Sequence, residues 1–133
     1  MGSDNSKQVA VLTTAQNVTT SWVDLGSEID TAGYNTMLIW VDVDINDANN
    51  VRVRPLAKRA SAATNEYGYP IYSAGTTDVG LENLYYEWTT DADQKTILEV
   101  NLKGLIPVVQ LQVQAGVAGV TPGQVESVYV HLI

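Results

Sequence analysis

The chain has 133 residues, no cysteine, and 15 acidic against 7 basic side chains, for a formal net charge of −8. That length suits one domain whose core needs no staples. Lack of cysteine excludes disulfides, thiolate metal sites and cysteine nucleophiles. The acidic balance argues against nucleic acid as a partner, because phosphates are held by Lys and Arg, and no apolar run is long enough to span a membrane as a helix.

In chain order, residues 1–6 (Met-Gly-Ser-Asp-Asn-Ser) have neither the basic start nor the apolar run of a signal peptide. They read as a flexible tail, followed by a single domain over 7–133. From there the pattern is alternation of apolar and polar residues, the mark of strands with one buried and one wet face. Strands are expected over 8–13, 21–25, 36–45, 51–58, 69–72, 84–89, 96–102, 108–115 and 124–133. The clearest are Val41-Asp42-Val43-Asp44-Ile45, Leu98-Glu99-Val100-Asn101-Leu102 and Val109-Gln110-Leu111-Gln112-Val113-Gln114. Polar or glycine-rich breaks separate them, at 46–50, 75–80, 90–93 and 116–123. Eight or nine short strands with no helix between them predict an all-β, two-sheet antiparallel sandwich of jelly-roll type. The last strand, ending Val130-His131-Leu132-Ile133, is expected to pair within a sheet or against a neighbouring subunit.

The sharpest candidate for chemistry is Asp42-x-Asp44-x-Asn46-Asp47, which opens like a calcium loop. An EF-hand needs glycine at its sixth position and glutamate at its twelfth; here those positions hold Asp47 and Val53. A hairpin through 46–50 would instead set Asp44 opposite Arg52 and Asp42 opposite Arg54, a ladder of cross-strand ion pairs. Asp44, Asn46 and Asp47 remain as calcium candidates. His131 is the only histidine. Ser127 shares its strand face at about 13 Å, and no Gly-x-Ser-x-Gly elbow accompanies it. Asp78, Glu82, Glu87 and Asp91 are numerous enough for a hydrolytic pair, yet nothing singles one out. The expectation is a non-enzyme without a cofactor.

The aromatics and amides are more informative. Phenylalanine is absent, while Tyr67, Tyr69, Tyr72, Tyr85, Tyr86 and Trp88 crowd into one third of the chain. Tyrosine and tryptophan suit half-wet surfaces, so this region is either an interface, a sugar-stacking platform or part of the core. Gln110, Gln112 and Gln114 form an uncharged stripe on one strand face, which suggests a surface that another chain covers.

The stretch from Asn17 to Tyr34, with Leu25-Gly26, Ile29-Asp30 and Gly33-Tyr34, resembles the opening of small β-sandwich virion proteins of tailed bacteriophages. So do the long strand from Met37 to Ile45, the Arg52-to-Gly68 region, the Ile106-Pro107 … Leu111-Gln112-Val113-Gln114 strand and the closing Ser127-Val128-Tyr129-Val130. The resemblance covers most of the chain and implies a head-decoration or cement protein of the virion. Such a protein is often trimeric, binds assembled coat protein and has no catalytic residues to carry over. A carbohydrate-binding module or lectin-like sandwich, stacking sugars on Tyr67, Tyr69, Tyr72 or Trp88, is the alternative.

Overall fold

The computed structural model describes residues 6–74, 84–89 and 93–133. The tail expected at 1–6 lies, apart from Ser6, outside the described residues, as do Asp78, Glu82 and Asp91. The described strands are β1 (Lys7–Leu12), β2 (Gln16–Asn17), β3 (Val23–Asp24), β4 (Ile29–Asp30), β5 (Thr36–Asp44), β6 (Val51–Lys58), β7 (Tyr67–Gly68), β8 (Tyr72–Ser73), β9 (Tyr86–Trp88), β10 (Asp93–Asn101), β11 (Val108–Ala115) and β12 (Gln124–Leu132). No helix interrupts them among the described residues.

Two antiparallel sheets pack face to face. The front sheet runs β1-β12-β5-β10-β8, with β2 beside β12; the back sheet runs β3-β11-β6-β7, with β4 beside β11 and β9 beside β6. Treating β3 with β4, and β7 with β9, as broken single strands leaves a four-stranded back layer; the front layer is β1-β12-β5-β10 in the strand order of a jelly roll, with β8 added at its edge. The alternation explains the layers. Met37, Ile39, Val41 and Val43 of β5, Leu98 and Val100 of β10, and Val128, Val130 and Leu132 of β12 point inward from the front. They meet Val51 and Val53 of β6 and Val109, Leu111 and Val113 of β11 from the back. Burying one face of each sheet against the other is the main favourable term in such a fold. β12, the last strand, is paired on both sides, by β1 and β5.

The ion-pair ladder between Asp42/Asp44 and Arg52/Arg54 is not formed. β5 and β6 belong to different sheets, and residues 45–50 carry the chain from one to the other. Ile45 and Ala48 are buried in this crossing and pull it through the end of the core, while Asn46 and Asn49 take left-handed backbone angles that turn it sharply. Asp42 therefore lies opposite Lys95 and Ser127, and Arg52 opposite Glu87 and Gln114.

The strand expected over 69–72 is not formed: of these residues only Tyr72 is in a strand, and 69–71 link β7 to β8. β7 joins the back sheet and β8 the front, with Pro70 and the buried Ile71 making the crossing. Pro55 lies in β6 between the stretch paired with β9 (51–53) and the stretch paired with β7 (56–57), so its missing N–H interrupts neither pairing.

Candidate functional site

The glutamine stripe lies on the outward face of the back sheet, and the segment that covers it comes from the same chain. Gln110 is only 3% exposed and donates from Nε2 to the carbonyls of Gly26 (3.1 Å) and Leu111 (2.9 Å). Gln112 Nε2 donates to Asp24 Oδ1 at 3.0 Å, and Gln114 Nε2 to the Thr20 carbonyl at 2.9 Å. The three amides thus hold the segment 20–26 against β11. Beside them Arg54 donates from Nε (3.1 Å) and Nη2 (2.7 Å) to Gln112 Oε1 while its guanidinium sits 4.1 Å over the Trp22 ring. Arg52 pairs with Glu87 at 2.6 Å and lies 4.9 Å over Tyr85, whose ring centre is 6.4 Å from that of Trp22.

The electrostatics of this face follow from those partners. The Glu87 hydrogen bond raises Arg52, and the same bond lowers Glu87; burial lowers Arg54. Glu28 accepts from Lys58 Nζ (2.6 Å), the Ala62 N–H (2.9 Å) and Ser61 Oγ (3.0 Å). The Lys58 bond, then that backbone N–H, hold its carboxyl down to about 2. These contacts are structural clamps: each charged group is held by a partner within the fold.

The tyrosine-rich third is dispersed. Trp88, 5% exposed, fills the core, donates from Nε1 to Thr96 Oγ1 (3.0 Å) and meets the Tyr86 ring edge-on at 5.0 Å, so it presents no stacking face. Tyr67 is half-exposed on β7 of the back sheet. Tyr69 and Tyr72 come together with Pro70, Asn101 and Lys103 around a shallow groove of about 310 Å³. Tyr69 leans on the core and donates its hydroxyl to the Asn101 carbonyl at 2.6 Å; burial pushes both phenols up.

The calcium candidates are occupied by the backbone. Asp44 Oδ1 accepts from the Asn46 N–H (3.3 Å), Asn46 Nδ2 donates to the Pro122 carbonyl (3.0 Å) and Asp47 Oδ2 accepts from the Thr121 N–H (3.0 Å). Among the described residues no group of three or more His, Asp or Glu is placed to hold a metal. Asn46 and Asp47 instead brace the β11–β12 loop. The Gly116 N–H donates to the Asn50 carbonyl (3.2 Å) and the Val117 N–H to the Ala48 carbonyl (3.3 Å). Gly119 is left-handed, and a Cβ there would lie 2.8 Å from the Asp47 carbonyl oxygen. The result is a fixed apolar tip, Gly116-Val117-Ala118-Gly119-Val120, with Val120 97% exposed.

Sequence reasoning passed over two further residues. On the outward face of the front sheet, Trp40 of β5 and Tyr129 of β12 are directly opposite one another and 50% and 48% exposed. Shallow grooves flank them. One, of about 340 Å³, is lined among others by Asp42, Lys95, Ile97 and Ser127. The other, of about 490 Å³, is lined among others by Gln8, Ala10 and His131. The signal was present in the alternation itself. Trp40 shares its face with Asp42 and Asp44, and Tyr129 stands between the inward Val128 and Val130, so both are aromatics on a face that should be polar.

No protein-family model matches the chain, and no curated protein matches it. Among solved structures the chain is similar to the SPBc2 prophage-derived protein YomS. Identity is 10%, the TM-score is 0.54, and the match covers 96% of this chain and 92% of that one. It is also similar to the carbohydrate-binding module CBM6cm-2 of Cellvibrio mixtus lichenase 5A, solved with cellotriose. There the identity is 12%, the TM-score 0.43, and the coverage 94% and 85%. The first likeness is one of fold, a β-sandwich shared with a prophage-derived protein; the second carries no argument.

Proposed function

We propose that the chain is a non-enzymatic structural protein of a bacteriophage particle, of head-decoration or cement type, which self-associates and binds coat protein. The observation that carries this reading is the apolar β11–β12 tip. Loop tips are ordinarily polar, and five consecutive apolar or glycine residues held rigid by Asn46, Asp47 and Asn50 form a pre-organised contact that loses little freedom on binding. Attachment through one end of a sandwich leaves both sheet faces intact. The sandwich shared with a prophage-derived protein, and the sequence resemblance to phage virion proteins, support the same reading. The clamped state of Arg52, Glu87, Glu28 and Lys58 supports a non-catalytic role, since each shifted group has a partner inside the fold.

The test is cosedimentation with particles of the phage that encodes the chain, with light scattering for oligomeric state. The double variant Val117→Asp/Val120→Asp changes exposed side chains and should keep the wild-type melting temperature. It is expected to lose particle binding. Full retention of binding by the double variant, or a wild-type chain that stays monomeric and never sediments with particles, would overturn the proposal.

A further inference from the structure

We infer that the outward face of the front sheet is a carbohydrate-binding site, with Trp40 and Tyr129 as the stacking platform for a neutral pyranose ring. Three observations converge. First, the two rings belong to directly opposed residues on neighbouring strands, which sets their Cβ atoms about 5 Å apart on a rigid surface. Ile97 on β10 and Ala10 on β1 extend the row on either side, so the platform is apolar along its length. Second, hydrogen-bonding groups stand at its rims. Ser127, Asp42 and Lys95 form the neighbouring row on one side; His131 and Gln8 lie on the other. Third, the rim carries a carboxylate that its own chain satisfies only loosely. Asp42 Oδ2 is 3.6 Å from Lys95 Nζ, but Asp42 Oδ1 is buried and has no hydrogen-bond partner. The exposed oxygen, Oδ2, is held only loosely by Lys95, so the carboxylate has acceptor capacity left for an arriving hydroxyl.

A pyranose matches this arrangement. Its C–H faces cover an aromatic ring, and its hydroxyls project from the edge, where one can donate to Asp42 Oδ2 while another accepts from Lys95. Small-molecule sites combine an apolar floor with a few convergent polar groups in a volume of a few hundred Å³, as the two grooves do here. A protein sealing the same face would have to desolvate Asp42, Lys95 and Glu99 together, which is expensive without matched charges. The net charge of −8 and the carboxylates of Asp42 and Glu99 select for a neutral sugar over a sialylated or sulfated one. The site is separate from the β11–β12 tip, so end-on attachment to a particle would leave it displayed.

The experiment uses the full chain on an array of neutral gluco-, galacto- and manno-configured oligosaccharides with sialylated ones alongside, followed by calorimetric titration of the strongest binder. Binding to a subset of the neutral sugars is expected. Trp40→Thr and Tyr129→Thr should each weaken it by about tenfold or more, and Asp42→Ala should weaken it comparably. Val117→Asp/Val120→Asp should bind sugar as wild type does, which separates failure here from failure of the particle-binding reading. The inference is overturned by silence across the neutral sugars, by preference for the sialylated ones, or by affinity unchanged in Trp40→Thr and Tyr129→Thr. It is equally overturned if those two variants, with melting temperatures unchanged, alter self-association in light scattering while sugar binding stays as it was.

Discussion

The two outward faces of the sandwich carry similar side chains in opposite states. On the back, Trp22 and Tyr85 lie under Arg54 and Arg52, and the cations are held from the side by Gln112 and Glu87. Residues 20–26, with Glu28 beyond them, supply the acceptors that finish the network. On the front, Trp40 and Tyr129 keep about half their surface in water, and Asp42 keeps an oxygen without a donor. An aromatic ring beside a charge on a sheet therefore has no fixed meaning. Where the same chain supplies the polar partners, the ring is a support; where it does not, the ring is a surface available to something else.

That contrast can be broken most directly at Gln110. Replacing it with alanine removes the donor to the Gly26 and Leu111 carbonyls and leaves a small void at a nearly closed position. The expected loss of unfolding free energy is about 1–3 kcal/mol, read from urea denaturation. A loss near zero would mean that the back face does not depend on the amides. A double-mutant cycle on Trp22→Ala and Arg54→Ala comes next. The ring and the guanidinium are 4.1 Å apart and partly desolvated, so a coupling of about 0.5–2 kcal/mol is expected. Additive effects would reduce the stack to coincidence.

These residues also mark how far the sequence could be read. The strands were legible wherever alternation is long, as in β5, β11 and β12, because a half-buried strand writes its inward face into every second position. The sheet to which each strand belongs was not. Nothing in Asn46 to Asn50 distinguishes a hairpin from a crossing until Ile45 and Ala48 are seen to be buried, and two-residue strands such as β2 and β4 are too short to have a period. The glutamine stripe was read as a surface for another chain; sequence alone could not show that Thr20, Asp24 and Gly26 of the same chain accept its amides. Trp40 and Tyr129 were each legible as aromatics on a polar face. Their opposition was not, since it depends on pairing strands far apart in the chain. The crowd of tyrosines between Tyr67 and Tyr86 drew the eye instead, and the fold scattered it over both sheets.

A smaller effect on the back face tests its electrostatic half. Glu28 titrates at about 2 when folded against an ordinary value of 4.5, because the Lys58 ammonium and the Ala62 N–H favour the carboxylate. A depressed folded value means that the contribution is fully present above about 4.5 and is lost as the pH falls through about 2. In Glu28→Gln the wild-type advantage in urea midpoint should be constant from pH 7 to about 5 and shrink steadily below that. An advantage that grew on acidification would contradict the assigned partners.

The smallest effect is predicted where the front face is altered, and its smallness is the point. Trp40→Thr and Tyr129→Thr keep β-branched residues on β5 and β12, remove half-exposed rings and break no side-chain hydrogen bond among the described residues. Each should change stability by less than about 0.5 kcal/mol, against the larger losses on the back. Urea midpoints of the two front variants and of Trp22→Ala, measured together, decide the matter. If the front variants fall as far as Trp22→Ala, the exposed rings are supports like those behind, and the distinction between a finished face and an open one disappears. If they hold, these rings serve nothing inside the fold, and their place in the sequence is explained only by what they meet outside it.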